Sequence, residues 1–332
     1  MSHYAPHTSA TFEGYYNRFR LPSGASVCLI VSSVPKAKDR PFMISFTHVT
    51  RDGREWWQKN YWPKKWDVQR GAGDDYEIHW ETGYFGYKAD QVYWRLNTDE
   101  VRFSADQPSR GVPWRPDDPS STPAGIIARL PLPIQWHVHT VEAKTEYSLE
   151  VDEINIADRD HSGTAMAHVE KNWAISFPSD YIWMQARNND RGKGISMAGG
   201  SLIPGIQAYL VGYQGDAFVS FKPPTSTSIL GMSLGLHSKI DSIKGVIDLE
   251  IVGWFTRLRV HGRCDPNTFF PFAAPLNTGH APDYTVQSYA SDITVEVFRR
   301  SWPWLEWTRV EKETFENGAM EFGGGFYKQG KK

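Results

Sequence analysis

The sequence is best understood from one stretch, residues 168–189, which reads HVEKNWAISFPSDYIWMQARNN. From Tyr181 to Arg187, large or polar side chains alternate with Ile, Met and Ala. Because alternate residues of a β-strand lie on the same face, this alternation predicts a strand with one apolar face. The other face carries Trp183 and Gln185 beside Tyr181 and Arg187, a combination typical of a pocket with apolar walls and a few placed polar groups.

Strand signals continue along the rest of the chain. Short runs of Val, Ile, Thr and aromatic residues are separated by Gly, Pro, Asn and Asp, and helical periodicity is almost absent. Phe12–Leu21 and Ala25–Val34 predict an antiparallel pair, and Arg51–Gly53 predicts a hairpin turn. Gln135–Asp152 predicts a long strand, whereas Asp106–Thr122, rich in Pro, Ser and Asp, predicts a loop. Many short strands with regular turns indicate an all-β sandwich or barrel.

The composition limits the function. The formal net charge is −2, so the overall balance does not suggest binding to nucleic acid or to an anionic membrane. Aromatic residues make up 14% of the chain, with 14 Trp, which predicts either a Trp-rich core or an aromatic-walled cavity for an apolar ligand. No window approaches 18 uninterrupted apolar residues, so no transmembrane helix is expected.

The cysteines and the N-terminus point to a cytoplasmic protein. Cys28 and Cys264 form no CxxC pattern and lie in apolar runs, so we expect buried free thiols in a reducing compartment. The first residues lack the charged and apolar regions of a secretory signal, and we therefore expect none.

The central stretch closely resembles the signature of the tocopherol cyclase-like family. The resemblance rests on Glu170–Trp173, then Phe177–Ser179, then Trp183 and Gln185. Three further segments agree in chain order: Phe12–Tyr16, Pro133-x-x-Trp136 and Phe322–Phe326. The resemblance thus covers nearly the whole chain, and the Glu-Lys-Asn-Trp block is its most specific part.

The resemblance implies a fold and a chemistry. This family and the related fungal secondary-metabolite cyclases and pericyclases are built from two lipocalin-like β halves. We therefore expect an all-β chain with two lipocalin-like antiparallel barrel or sandwich halves, residues 1–155 and 156–332, and a ligand cavity at or near their junction. Tocopherol cyclase-like proteins close a ring by protonating an olefin of a prenylated aromatic. Fungal relatives open epoxides, rearrange cations or catalyse cycloadditions. Compared with the plant type, we expect a shorter N-terminal half and no transit peptide.

Three ionisable residues are candidate catalytic groups. Glu170 and Lys171 are adjacent, so on a strand they point to opposite faces and do not pair. If Glu170 faces a closed apolar cavity, loss of hydration favours its proton-carrying form, which could act as a general acid; alternatively it is a structural carboxylate. Glu13 is either a second acid or base in the same cavity or a structural residue paired with Arg18 or Arg20.

Two histidines offer a further possibility. His137 and His139 share a strand face and could bind a metal with a third ligand such as His168, although hydrogen bonding to substrate or to a neighbouring strand fits them better. The residues we expect to contact substrate are Tyr16, Trp136, His137, His139, Asn172, Trp173, Tyr181, Trp183 and Gln185. Of these, Trp136, Trp173, Tyr181 and Trp183 would stabilise positive charge by cation–π contact.

The chain lacks the motifs of several enzyme classes. No phosphate loop, Rossmann fingerprint or Gly-x-Ser-x-Gly elbow occurs, so we expect chemistry without a cofactor and with no bound metal. The sequence predicts a cyclase or isomerase of a hydrophobic, prenylated or aromatic small molecule that works by Brønsted-acid catalysis. A non-catalytic lipocalin-type carrier and a pericyclase acting by shape remain as alternatives, as does a metal enzyme. Because a carrier has no need of a buried carboxylate, the state of Glu170 distinguishes it from an acid catalyst.

Overall fold

The computed structural model describes residues 3–115, 117–118, 120–129, 134–175, 177–188, 190–233 and 235–328. Strands take up 62% of the chain and helices 4%, in a half-barrel sheet and a nearly closed barrel sheet, which confirms the prediction of two lipocalin-like β halves. Pro133 of the resembling segments, and Ser176 and Asn189 of the central stretch, lie outside the described residues.

The first sheet contains eleven antiparallel strands in the order β4-β3-β2-β1-β11-β10-β9-β8-β7-β6-β5. Its strands are β1 (Phe12–Arg20), β2 (Ser26–Ser33), β3 (Phe42–Val49), β4 (Trp56–Tyr61), β5 (Asp67–Arg70), β6 (Tyr76–Trp80), β7 (Gly83–Tyr87), β8 (Val92–Asn97), β9 (Val101–Gln107), β10 (Ile134–Val151) and β11 (Ser162–Ala174).

The second sheet contains twelve strands, with the main order β17-β16-β14-β13-β12-β23-β22-β20-β19-β18, while β15 pairs with β14 and β21 with β22. Its strands are β12 (Asp180–Asn188), β13 (Lys193–Ile203), β14 (Ile206–Gln214), β15 (Val219–Phe221), β16 (Thr227–Ile229), β17 (Met232–Ser233), β18 (Leu236–Asp241), β19 (Val246–Val252), β20 (Thr256–Arg263), β21 (Phe270–Leu276), β22 (Gly279–Arg299) and β23 (Thr308–Gly324).

Helices are short and lie between strands or at the end of the chain. Within the described residues they are three 3₁₀ turns, Gly125–Arg129, Asp158–Asp160 and Pro266–Thr268, and one helical turn α1, Gly325–Lys328. The described part of the chain contains no helix with the length and apolarity needed to cross a membrane.

The change from the first sheet to the second falls between Ala174 and Asp180, rather than near residue 155. Strand β11, which the sequence-based boundary assigned to the second half, lies between β1 and β10 in the first sheet. The reason is pairing: β11 supplies the hydrogen-bond partner that joins the N-terminal meander to the long strand β10. Glu170 and Lys171 therefore sit on the last strand of the first half.

Strand β12 has the two faces that its alternation predicts. Ile182, Met184 and Ala186 belong to the apolar core of the second half. Trp183 points the other way, into a third cluster that contains residues of both halves, among them Trp136 of β10 and Tyr289 of β22. This third cluster holds the two sheets against each other and contains the candidate site.

Candidate functional site

Strand β11 divides the candidate residues between two compartments. Glu170 lies opposite Tyr16 of β1 in the strand register, and Lys171 lies opposite Tyr15. Tyr15 belongs to the core of the first half, whereas Tyr16 packs into the cluster between the halves. Glu170 and Lys171 thus face opposite sides of one sheet, as their adjacency predicts.

The junction compartment is the space between the halves around Tyr16, Trp136, His168, Glu170, Trp183 and Glu321. Glu170 is buried there, and one of its oxygens, Oε2, lies 3.1 Å from Nε2 of His168. His168 is two residues away on the same strand face, and its ring centroid lies 6.4 Å from that of Trp183 in the second half. A single hydrogen bond therefore holds Glu170, and its other oxygen, Oε1, forms none with the described residues.

A second buried carboxylate, Glu321 of β23, comes from the opposite half. It lies directly across from Trp183 in the strand register. The hydroxyl of Tyr181, the hydroxyl of Thr285 (2.9 Å) and the amide nitrogen of Gln287 all donate hydrogen bonds to it. Burial raises the pKa of Glu321 above its ordinary value; these hydrogen bonds oppose the change, and the negative charge of Glu170 adds to it. A like charge favours the proton-carrying form of a carboxyl, so burial and Glu170 act on Glu321 in the same direction.

Aromatic and hydroxyl groups connect the halves around these carboxylates. The hydroxyl of Tyr16 lies 2.8 Å from that of Tyr289 and donates towards Gln287 at 3.4 Å. The ring of Tyr16 also meets that of Trp183 edge to face at 5.1 Å. The indole nitrogens of Trp136 and Trp183 are buried and donate to no group of the described chain. Two N–H donors therefore remain available to a bound molecule in an apolar setting.

The other face of β11 borders an inner compartment, formed by Glu13, Lys171, His7, His137 and His139. The side chain of Lys171 is 0% exposed and that of Glu13 is 6% exposed, and their charged atoms lie 2.6 Å apart. The Lys171 ammonium also donates to the carbonyls of Tyr4 (3.2 Å) and Ala5 (2.7 Å). Both oxygens of Glu13 accept from the backbone N–H of His7, at 2.9 and 3.0 Å.

Burial and pairing act together on these two pKa values. Burial lowers the pKa of Lys171 to about 8, although the attraction of Glu13 opposes the change. For Glu13, burial acts to raise the pKa, but the Lys171 ammonium and the His7 hydrogen bonds bring it below its ordinary value. Glu13 is therefore a paired carboxylate.

The prediction that a structural Glu13 pairs with Arg18 or Arg20 was wrong. Arg18 and Arg20 lie on the opposite face of β1, where Arg18 contacts Ser26 and stacks on Tyr289 at 4.2 Å, and Arg20 pairs with Glu142 at 3.0 Å. Strand parity explains the difference, because residues 13 and 18 of one strand point to opposite sides. For the same reason Glu13 does not share a compartment with Glu170.

The two histidines of β10 lie in the inner compartment with their rings 5.0 Å apart. Burial lowers the pKa of His137 to about 3 and that of His139 well below its ordinary value, so both rings are neutral. His168, considered as a third metal ligand, lies on the opposite face of the sheet. Among the described residues no three His, Cys, Asp or Glu side chains meet in a way that could hold a metal ion.

The predicted substrate contacts thus separate into two groups. On the junction face the structure places Tyr16, Trp136, Asn172, Tyr181, Trp183 and Gln185 with the catalytic candidate Glu170. In the inner compartment it places His137, His139 and Trp173 with the other two catalytic candidates, Glu13 and Lys171.

Sequence reasoning missed Glu321, Gln287 and Tyr289, and considered His168 only as a metal ligand. One signal was available for Glu321. It is the only charged residue in the apolar run Ala319–Phe322. The long-range pairing that brings it beside Trp183 leaves no local pattern.

Two clefts open at the surface where the halves meet. One, of about 390 Å³, is lined by Arg115, Arg187, Gln214 and Phe218, among others. Arg187 continues the row of Tyr181, Trp183 and Gln185 on β12, so this cleft lies at the end of the junction face. The other, of about 670 Å³, is lined by residues that include His48, Asp160 and Asn317.

Solved structures share this fold. The chain resembles CghA crystallised with Sch210972, with TM-score 0.57 and 13% identity over 94% of this chain and 88% of that one. It also resembles kievitone hydratase from Nectria haematococca, with TM-score 0.57 and 11% identity over 98% of this chain and 92% of that one. CghA without that molecule gives TM-score 0.59 and 13% identity over 95% and 88%. At such identities the likeness shows the fold alone.

No protein-family model matches the chain, and no curated protein matches it in sequence. The two-half β fold confirms the lipocalin-like part of the predicted resemblance. The tocopherol cyclase-like assignment stays a prediction.

Proposed function

We propose that this protein is an enzyme that transfers a proton to an apolar, aromatic or prenylated small molecule in the junction compartment, without a cofactor, and so closes a ring. The observation that carries the proposal is that two buried carboxylates, Glu170 from the first half and Glu321 from the second, both face the junction, where Trp183 also lies. Glu170, held by one hydrogen bond, is the proton donor. Glu321, held by three and with its pKa raised by burial, is the fixed carboxyl that keeps a proton in the compartment.

The reaction begins when the carboxylic acid of Glu170 gives its proton to an olefin carbon or an epoxide oxygen. Positive charge then develops on a carbon atom between Trp136, Trp183 and Tyr16, whose ring faces stabilise it by cation–π contact. An oxygen of the same molecule bonds to that carbon, and the proton which this oxygen loses returns to the carboxylate. Exclusion of water by the packed halves protects the cation until the ring closes.

Hydration is the second candidate. It shares the first step, but a water molecule in place of an internal oxygen bonds to the cation. One solved structure of the same fold is named as a hydratase, which favours this alternative. The two reactions differ in whether the junction compartment admits a water beside the bound molecule.

The test uses a panel of prenylated phenols and their epoxides, with product masses as the readout. Ring closure leaves the mass unchanged, whereas hydration adds the mass of one water. Glu170→Gln keeps the shape and removes the transferable proton, so we expect turnover to fall about 10²–10⁴-fold with substrate affinity nearly unchanged. Glu13→Gln is the matched change on the other face of the sheet; wherever it still folds, it should lose less turnover.

Three results would overturn the proposal. Full turnover in Glu170→Gln removes it as the acid and favours catalysis by shape, as in a pericyclic reaction. Binding without any conversion by the wild-type protein favours a carrier. Loss of turnover on chelation, restored by Zn²⁺, favours a metal enzyme that uses His137 and His139.

A further inference from the structure

An exposed group of aromatic side chains lies at one end of the second half, far along the sheet from the two carboxylates. It consists of Trp254 and Phe255, in the turn between β19 and β20, and of Trp302, Trp304 and Leu305, in the loop between β22 and β23. All five are exposed, Trp254 by 75% and Trp304 by 77%. Single exposed apolar residues are common, but three Trp, a Phe and a Leu on neighbouring loops mark an interaction surface. We call these five residues the aromatic face.

The two loops are tied into one surface. Arg300 donates its backbone N–H to the carbonyl of Phe255 at 3.2 Å and its Nε–H to the carbonyl of Trp254 at 2.8 Å. The rings of Trp302 and Trp304 stack at 5.3 Å with an angle of 16° between their planes. The aromatic face is therefore ordered before it meets any partner, which lowers the entropic cost of binding.

Arginines surround the aromatic face. The strand ends and loops that carry it, residues 250–259 and 296–309, contain five Arg and three Glu and no other charged residue, although the whole chain has a formal net charge of −2. Arg259 pairs with Glu250 at 2.8 Å and Arg309 with Glu296 at 2.7 Å. Within the described residues no carboxylate lies within ion-pair distance of Arg299 or Arg300. The local excess of positive charge thus lies beside exposed tryptophans.

We propose that the aromatic face docks on an anionic lipid bilayer. Tryptophan concentrates at the boundary between lipid headgroups and acyl chains, where its ring is apolar and its N–H reaches polar groups. Arginine beside it is attracted to anionic headgroups over roughly a Debye length. Aromatic side chains and two guanidinium groups without a carboxylate partner among the described residues, at one end of the molecule, combine both requirements.

Docking in this orientation would place one of the two surface clefts beside the lipid. Phe218 lines the cleft at the end of the junction face, and its carbonyl lies 3.5 Å from Nη2 of Arg299. An apolar substrate dissolved in the bilayer would then enter near Arg187 and follow the row of β12 side chains inward. This last step rests on the proposed function, whereas bilayer docking itself does not.

The test is co-sedimentation of the full chain with vesicles of phosphatidylcholine alone and of phosphatidylcholine with phosphatidylserine. We expect wild-type protein to bind the second kind more tightly than the first, and this difference to shrink as salt is added. Trp302→Ser with Trp304→Ser should weaken binding about tenfold or more on both kinds. Arg299→Gln, which leaves the hydrogen bonds of Arg300 to Trp254 and Phe255 in place, should weaken binding to the anionic vesicles alone, by roughly fivefold.

The control is the hairpin of β16 and β17. Leu230 and Met232 are exposed by 76% and 72%, and no arginine lies in residues 227–233. Leu230→Ser with Met232→Ser should leave vesicle binding unchanged, and all these surface variants should keep the wild-type melting temperature.

Several outcomes would overturn the proposal. The first is that the wild-type protein does not bind anionic vesicles. The second is that the control variant in the β16–β17 hairpin loses as much binding as the tryptophan variant. The third is that binding is unchanged when both tryptophans are removed. Concentration-dependent self-association that the tryptophan changes abolish, with no vesicle binding, would instead assign the aromatic face to a contact between copies of the chain. Vesicle binding with no turnover on any substrate would support docking while leaving the proposed function to its own test.

Discussion

The two faces of strand β11 carry buried ionisable groups under opposite electrostatic conditions. In the inner compartment Lys171 meets Glu13 at 2.6 Å, and the N-terminal segment supplies further hydrogen bonds to both. In the junction compartment Glu170 shares its face with a second buried carboxylate, Glu321 of the other half, whose pKa is raised by burial and by the charge of Glu170. Opposite charges that form an ion pair act to hold a structure together. Like charges in the same low-dielectric setting cost stability, and such arrangements are characteristic of sites that move protons.

The largest effect expected from this contrast is on the stability of Glu13→Gln. The change leaves the Lys171 ammonium buried without its counter-charge, so the free energy of unfolding should fall by about 3–5 kcal/mol. Urea unfolding of the variant measures it. The double variant Glu13→Leu with Lys171→Met removes both charges and should recover much of the loss. A fall in Glu13→Gln of less than about 1 kcal/mol would mean that the pair is not what secures the N-terminal segment.

Glu321→Gln should cost less, within about 2 kcal/mol at neutral pH, because relief of repulsion from Glu170 offsets weaker hydrogen bonds. Its pH dependence is the sharper test. The raised pKa of Glu321 in the folded protein means that this state binds more protons than the unfolded chain above the ordinary value of 4.5. The stability that Glu321 contributes is then present below that value and is lost as the pH rises through the folded-state pKa. Wild-type protein should therefore lose stability relative to Glu321→Gln as the pH rises from 4.5 to neutrality.

The opposite slope, or none, would contradict the assignment of Glu321 as a carboxyl with a raised pKa. Urea unfolding at several pH values measures the difference in stability between the wild-type protein and Glu321→Gln, with Glu313→Gln as a control. Glu313 is also buried and lies on the same strand, but it pairs with Arg191 at 3.0 Å.

The smallest effect on stability is expected for Trp183→Phe. The variant loses ring area but also removes a buried N–H that donates to no group of the described chain, so the two contributions oppose each other, and the free energy of unfolding should change by about 1 kcal/mol or less. Turnover or substrate affinity should nevertheless fall, because the donor and the larger ring face belong to the junction compartment. Trp94→Phe in the core of the first half is the matched control and should leave activity unchanged.

Local patterns predicted what depends on local geometry. The alternation of residues 181–187 predicted both faces of β12, and adjacency alone predicted that Glu170 and Lys171 point apart. Parity within β1 would also have excluded Arg18 and Arg20 as partners of Glu13. By contrast, strands β5 to β7 were not predicted. Strand β5 is a short, exposed edge strand, and β7 contains two glycines, which are uncommon in strands.

Long-range pairing accounts for the features that the sequence did not predict. The position of β11 in the first sheet depends on its partners β1 and β10, and the meeting of Glu170 with Glu321 depends on how two sheets pack. Neither the pairing nor the packing produces a periodic pattern in the sequence of these strands. The sequence therefore predicted the fold class and most of the residues on the junction face, but not the second carboxylate there.

Strand β11 is a wall shared by two compartments, and this restricts how the gene can change. Inserting or deleting one residue upstream within the strand would move Lys171 to the junction and Glu170 to the inner compartment, because a one-residue slip reverses every side chain. The inner compartment would then contain two carboxylates, Glu13 and Glu170, and the junction would lose the carboxyl of Glu170 and gain the ammonium of Lys171. Substitutions can alter one compartment at a time, but a change of length alters both at once. Diversification of this site should therefore proceed by residue replacement within a strand of constant length, with length variation confined to the loops on either side.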